Sequence, residues 1–124
     1  LIIIGHSFGG LIVTLFSESW ESTFPINAHA IASGLAKSKF DRKYLNCENP
    51  KKPKYDISKY VEYKQWRTIK DQDGIFKRLN NDPQVVTFIN GKTTLLPKRW
   101  KSTRVGHNFS ILVVSDIILS DLQK

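Results

Sequence analysis

Ser7 has the surroundings in this chain least like those of an ordinary surface hydroxyl. It lies in Gly5-His6-Ser7-Phe8-Gly9-Gly10, between the apolar runs Leu1-Ile2-Ile3-Ile4 and Leu11-Ile12-Val13-Thr14-Leu15-Phe16. The first run is mostly β-branched and suits a fully buried parallel strand. The second is apolar nearly all the way round a helix, which suits packing against a sheet with little surface exposed. A strand that turns this abruptly into a helix needs residues without a Cβ, for unusual dihedrals and for close strand–helix packing. At the tip of such a turn the Ser7 hydroxyl is lifted clear of the sheet. The helix that follows aims backbone N–H groups and its positive dipole end at the same point. The N–H of Phe8 then faces a negative charge developing on a substrate oxygen, as half of an oxyanion hole. This arrangement suits a serine hydrolase.

A serine hydroxyl is a poor nucleophile near neutral pH, so the chemistry asks for an imidazole to take and return its proton and a carboxylate to orient that imidazole. The chain has three histidines. His6 adjoins the nucleophile, but its side chain leaves the turn on a different side, which makes it a shaping residue. His29 lies in a short apolar segment and reads as a hydrogen-bonded core residue. His107 lies in Val105-Gly106-His107-Asn108, ahead of the last apolar segment. Carboxylates cluster in Lys70-Asp71-Gln72-Asp73-Gly74. No paired carboxylates, metal-ligand spacing or phosphate loop competes, so neither cofactor nor metal is required.

Gly5-His6-Ser7-Phe8-Gly9, read as G-x-S-x-G between a strand and a helix, resembles the nucleophile elbow of the α/β-hydrolase family. The resemblance implies a chain order of nucleophile, acid and base, which Ser7, Asp73 and His107 follow. It places the base in a loop before the final helix, where His107 stands. It places the acid at a turn after a strand. Asp71-Gln72-Asp73 followed by Phe76 is similar to the acid turn of some bacterial members, with Asp73 as the acid and Asp71 in reserve. Two alternatives stay open: a helix continuing through Ile69 with both aspartates solvated, or an acid turn after 85–89 in which Thr94 replaces the acid and the triad is broken. The implied reaction is cleavage of an ester or related acyl bond of a small-molecule substrate through an acyl-serine. The apolar acyl pocket is expected beside Phe8, Leu35 and Phe109.

The implied fold class is α/β: a partial α/β-hydrolase sheet of mostly parallel strands with flanking helices, as one domain over 1–124. In that family the elbow follows the fifth strand, whereas here it opens the chain. The expectation is therefore the C-terminal half of such a domain, lacking the strands and loop that supply the second oxyanion donor. A truncated, inactive remnant serving as a binding or structural module is the alternative.

The remaining elements follow from pattern. Pro25 bars continuation of the elbow helix, and 26–32 reads as a second core strand. An irregular helix is expected over 35–47, with Leu35, Phe40, Tyr44 and Leu45 inward. Glu48-Asn49-Pro50-Lys51-Lys52-Pro53-Lys54 is a surface loop, in the region where the family carries its lid. Asp56 or Ser58 caps a short helix with Ile57, Tyr60 and Val61. A strand covers 63–69, and 75–79 is one or two helical turns. Asn90-Gly91 between β-rich runs predicts a β-hairpin at 85–96. In the last helix, 110–122, Ile111, Val114, Ile118 and Leu122 share the inward face, supported by Val113, Ile117 and Leu119.

With 19 basic and 11 acidic residues the formal charge is +8. Lys51, Lys52 and Lys54, and Lys98, Arg99, Lys101 and Arg104, interleave with Tyr55, Tyr60, Tyr63, Trp66 and Trp100. No nucleic-acid motif accompanies them, so a solvated basic face is expected and nucleic-acid binding is not. The one cysteine, Cys47, reads as a spare thiol and gives no argument for an oxidising compartment, leaving the cytoplasm favoured. No apolar run approaches the ~20 residues of a membrane span. An unpaired sheet edge along 1–4 predicts self-association.

Overall fold

The alternation along Ile26–Ile31 sets the layering: Ile26, Ala28 and Ala30 point to one face of a sheet, Asn27, His29 and Ile31 to the other. The computed structural model describes residues 1–39, 41 and 48–124. Its main sheet has four strands, β1 (Ile2–His6), β2 (Ile26–Ile31), β4 (Val61–Arg67) and β6 (Lys92–Leu95), in the order β1-β2-β4-β6. All three pairings are parallel. Helix α1 (Phe8–Ser19) packs on one face, together with a parallel pair of short strands, β3 (Lys54–Asp56) and β5 (Thr87–Ile89). Helix α2 (Phe109–Leu122) packs on the other, beside a hairpin of β7 (Arg99–Trp100) and β8 (Thr103–Arg104). The chain is thus a mixed α/β unit with a parallel sheet between two helical layers.

Two core clusters follow from this sandwich. Leu11, Ile26, Ala28, Ala30, Tyr55, Val61 and Tyr63 are buried under α1, while Ile31, Trp66, Val105, Val113, Val114 and Ile118 are buried under α2. The alanines of β2 let α1 approach closely. The buried stripe of that helix is itself small or polar, Gly10, Thr14 and Ser17 accompanying Leu11. Thr14 and Ser17 return their hydroxyls to the carbonyls of Gly10 and Val13. The Thr14 hydroxyl also lies 2.6 Å from Tyr63 Oη. Burying these hydroxyls is therefore cheap, because each has a partner.

Several expectations are corrected. Residues 85–96 do not form a hairpin: β5 pairs with β3 and β6 with β4, in different sheets, so Asn90-Gly91 is a crossing point between layers. The left-handed residue there is Asn90, with φ 61°, which also donates from Nδ2 to the Ser58 carbonyl. The hairpin that does form turns through Lys101 and Ser102, both at positive φ, as a two-residue turn between twisted strands requires. No helix begins at Asp56 or Ser58; Asp56 ends β3 and Val61 starts β4, which stops at Arg67. Residues 75–79 form hydrogen-bonded turns without an α-helix. In the expected helix over 35–47, Leu35 is buried and 36–39 are not helical; Phe40, Tyr44, Leu45 and Cys47 lie outside the described residues.

Both helices expose more apolar surface than their sequences predict. Phe8, Ile12 and Phe16 form an exposed stripe on α1, and Ile111, Leu119 and Leu122 are exposed on α2 while Val113, Val114 and Ile118 face inward. A helix apolar all round cannot announce from sequence which side meets the sheet. β1 is an edge strand and not a fully buried one, with Ile4 46% exposed.

Candidate active site

Ser7 joins β1 to α1 with φ 56° and ψ −120°, a conformation that only glycine adopts without strain. The turn is held on both sides. Ser7 N–H donates to the Ile31 carbonyl at 2.8 Å, and the Ser7 carbonyl accepts from Gly10 N–H at 3.0 Å. The glycines act differently from the expectation: none has positive φ, and the unusual dihedrals fall on Ser7 itself. A Cβ on Gly5 would land in the Gly9 carbonyl, and one on Gly10 in the Ser33 side chain, so these two permit α1 to start against the strand ends. Gly9 has open space and no such role.

Asp73 and His107 are brought together from two separate loops. β4 ends at Arg67, and Thr68 and Ile69 lead into a 3-10 turn, Lys70–Gln72, that delivers Asp73. His107 precedes α2, and its Nδ1 lies 2.9 Å from Asp73 Oδ2. The same carboxylate oxygen accepts from Thr68 Oγ1 at 2.6 Å. Asp73 Oδ1 accepts the backbone N–H groups of Ile75 at 2.9 Å and Phe76 at 3.2 Å. Asp73 is fully buried and His107 8% exposed. Burial by itself pushes the Asp73 carboxyl up. The hydrogen bonds from His107 and Thr68, the nearby imidazole and the Ile75 N–H outweigh it, and the group lies below its ordinary value. An ionised Asp73 fixes the His107 proton on Nδ1 and leaves Nε2 as an acceptor.

His107 is confined on other sides as well. Phe76 meets its ring edge-on at 5.4 Å between centroids, and the His6 ring lies 4.8 Å away. The His107 carbonyl accepts from Ser110 Oγ at 2.6 Å and from His6 Nε2 at 2.8 Å. His6, immediately before Ser7, therefore ties the end of β1 to the loop that carries His107. Among the described residues Ser7 Oγ has no hydrogen-bond partner, so Ser7 and His107 are not hydrogen-bonded to each other. Burial lowers the pKa of His6, against the hydrogen bond to the His107 carbonyl, so its ring stays neutral near pH 7.

The structure thus brings Asp73 and His107 into one pair, and His6, the residue before Ser7, touches that pair through its ring and its Nε2. Asp71 is exposed and takes no part through its carboxylate. Thr94 lies in β6, paired opposite Trp66, and has no contact with His107 among the described residues. Of the residues expected to line an acyl pocket, Leu35 is buried in the α1 cluster, Phe109 packs against the α2 cluster and Phe8 is exposed. His29 accepts from Trp66 Nε1 at 3.0 Å on the α2 face, a satisfied residue apart from the site.

Sequence reasoning missed the support around Asp73. Thr68 is held in turn by Gln84, whose Oε1 accepts the Thr68 N–H at 3.0 Å and whose Nε2 donates to the Thr68 carbonyl at 3.1 Å. Gln65 Nε2 donates to the Gln84 carbonyl at 2.6 Å, and Thr93 Oγ1 to Gln65 Oε1 at 3.0 Å. A polar chain, buried from Gln65 onward, therefore runs from β6 to Asp73. A glutamine at the inward position of β4 was its one visible signal, since an amide there needs partners.

Among the described residues no group of three or more His, Cys, Asp or Glu side chains could hold a metal ion. An open groove of about 880 Å³ lies away from Ser7, along His29, Tyr60, Lys64, Lys92, Ile118 and Leu122. Of the basic cluster, Lys51 pairs with Asp41 and Lys52 with Glu18, while Lys98, Arg99, Lys101 and Arg104 are exposed. No described helix is long and apolar enough to cross a membrane. Compared with protein-family models, curated proteins and solved structures, the chain matches none.

Proposed function

We propose that this chain carries the nucleophile, acid and base of a serine hydrolase of α/β-hydrolase type, acting on an ester or related acyl bond. The observation that carries the reading is the buried Asp73–His107 hydrogen bond, with His6, the residue before a serine at φ 56°, bonded to the His107 carbonyl. Ser7 Oγ attacks the acyl carbon while His107 Nε2 takes its proton. Asp73 stabilises the imidazolium without accepting that proton. The carbonyl oxygen becomes an oxyanion at the positive end of α1, near Phe8. Collapse expels the alcohol, amine or thiol, which receives the proton from His107 and leaves an acyl-serine. Water, deprotonated by His107, then attacks the acyl-serine, releasing the acid and restoring Ser7. Ser7 Oγ and His107 are not hydrogen-bonded in the free chain, and catalytic contacts of this kind commonly tighten only on substrate binding.

A fluorophosphonate probe tests this, because it phosphonylates only an activated serine. Labelling at Ser7 that disappears in Ser7→Ala and falls at least a hundredfold in His107→Ala supports the reading. Labelling that persists without Ser7, or none at all, removes it. The second reading is a non-catalytic binding or structural module that keeps the elbow for packing. It is favoured by the unengaged Ser7 hydroxyl, and an unlabelled but folded chain would establish it.

A further inference from the structure

We infer that His6 is a positioning residue: its Nε2–H, bonded to the His107 carbonyl, clamps the base loop to the strand that carries Ser7. The catalytic meaning of this clamp rests on the acyl-transfer reading; the clamp itself rests on geometry alone. His6 ends β1 and His107 precedes α2, and they stand 101 residues apart in sequence. Among the described residues no strand pairing joins them, since β1 pairs there with β2 alone and the His107 loop belongs to no sheet. Registration of nucleophile and base over that separation therefore falls to side-chain contacts.

The His107 carbonyl can accept two hydrogen bonds, and both are taken. Ser110 Oγ donates from within α2 at 2.6 Å, a local contact three residues away that fixes the helix start but not its place relative to β1. His6 Nε2 donates at 2.8 Å from the other layer and supplies that missing constraint. Bonding to a carbonyl, which can only accept, requires the proton on Nε2. The two rings, tilted by 56° with centroids 4.8 Å apart, also close one face of the base, while Phe76 stands edge-on to it. Asp73 sets the rotation of the His107 ring, and His6 sets where the ring sits relative to Ser7. A small displacement there changes how far Nε2 must reach for Oγ, which acyl transfer does not tolerate.

The test compares His6→Phe, which keeps a ring and loses the donor, with His6→Gln, whose amide N–H reaches to a similar place. Two readouts are taken on the full chain: solvent exchange of the His107 Nδ1 proton, seen by 15N–1H NMR, and the rate of fluorophosphonate labelling at Ser7. In His6→Phe we expect exchange to speed up and labelling to slow by roughly tenfold, the effect of about 1.4 kcal/mol of lost positioning. In His6→Gln both should stay within roughly threefold of the unmodified chain, under 1 kcal/mol. If circular dichroism shows that the Phe variant is unfolded, His6→Asn replaces it, because its amide stops one bond short. Both readouts unchanged in the donor-less variant, or Gln as impaired as Phe, overturns the clamp. Exchange that follows the variants in a chain never labelled at Ser7 supports the clamp and instead removes the acyl-transfer reading.

Discussion

Ser7 holds a backbone conformation that its side chain opposes, and a residue under such strain is a place where stability was given up. Ser7→Gly should therefore raise the unfolding free energy by about 1 kcal/mol, strain relief of ~1–3 kcal/mol less the extra freedom of glycine in the unfolded chain. Urea denaturation measures it, and an unchanged or lowered midpoint would contradict the strain. The same variant should lose all labelling. At Asp73 the prediction concerns pH. Its carboxyl lies below the ordinary value in the folded protein, so the unfolded chain binds the proton more readily. The stabilisation is complete above about pH 4 and is lost as pH falls through the folded pKa. Asp73→Asn should be less stable than the unmodified chain at pH 7, and the gap should narrow on acidification below about pH 4. His6 and His29 act at higher pH. Both are lowered by burial, and His29 also by Lys64, so below about pH 6.5 the unfolded state takes protons the folded state refuses. Stability should fall between pH 7 and pH 5, and His29→Gln should flatten that slope in thermal unfolding.

Among the elements, the elbow makes unequal use of its glycines. Gly10→Ala places a methyl group in the buried Ser33 side chain and should cost about 1–3 kcal/mol, with part of the loss recovered in the double variant with Ser33→Gly. Gly9→Ala meets nothing and lies within α1, so it should stabilise by up to about 1 kcal/mol through helix propensity. A thermal scan that ranks the two variants the other way would refute this account of the turn. Both glycines belong to the same motif by eye; packing alone separates them. The strand–turn–helix at Ser7 was legible because each of its requirements lies within ten residues. The carboxylate that meets His107 was legible only as a pair of candidates. Asp71 and Asp73 are both polar, both in one short turn, and their sequence surroundings do not differ. Asp73 N–H closes the turn onto the Ile69 and Lys70 carbonyls, which directs its side chain inward. Gln84, sixteen residues from Thr68, completes the cradle, and no local pattern reports that contact.

At the scale of the molecule, the sheet order leaves β1 with one neighbouring strand among the described residues. Leu1 O and Ser7 N–H bond to the β2 side, so in a parallel ladder the main-chain groups of Ile2, Ile4 and His6 face away from it. Ile4 is 46% exposed on that edge, and Phe8, Ile12 and Phe16 continue the apolar surface along α1. Such an edge is a template for another strand. We expect the chain to self-associate in proportion to concentration, and Ile4→Lys to shift it toward the monomer in sedimentation velocity. A monodisperse, unmodified chain at high concentration would contradict this. The net charge of +8 opposes association, so added salt should strengthen it.

By itself the sequence determined the local events: a buried-type strand breaking into a helix at Ser7, a second short core strand, a loop bearing His107 ahead of a final helix. These depend on sterics and hydrogen bonding between near neighbours, which a few consecutive residues encode. Tertiary structure decided what competes across distance. Residues 87–89 and 92–95 had every local reason to pair, yet each found a better-placed partner in β3 or β4. Which aspartate met His107, and which face of each helix met the sheet, was settled in the same way. A strand edge or a carboxylate bonds to whatever the folded layers bring to it, and that choice is written nowhere in its own neighbourhood.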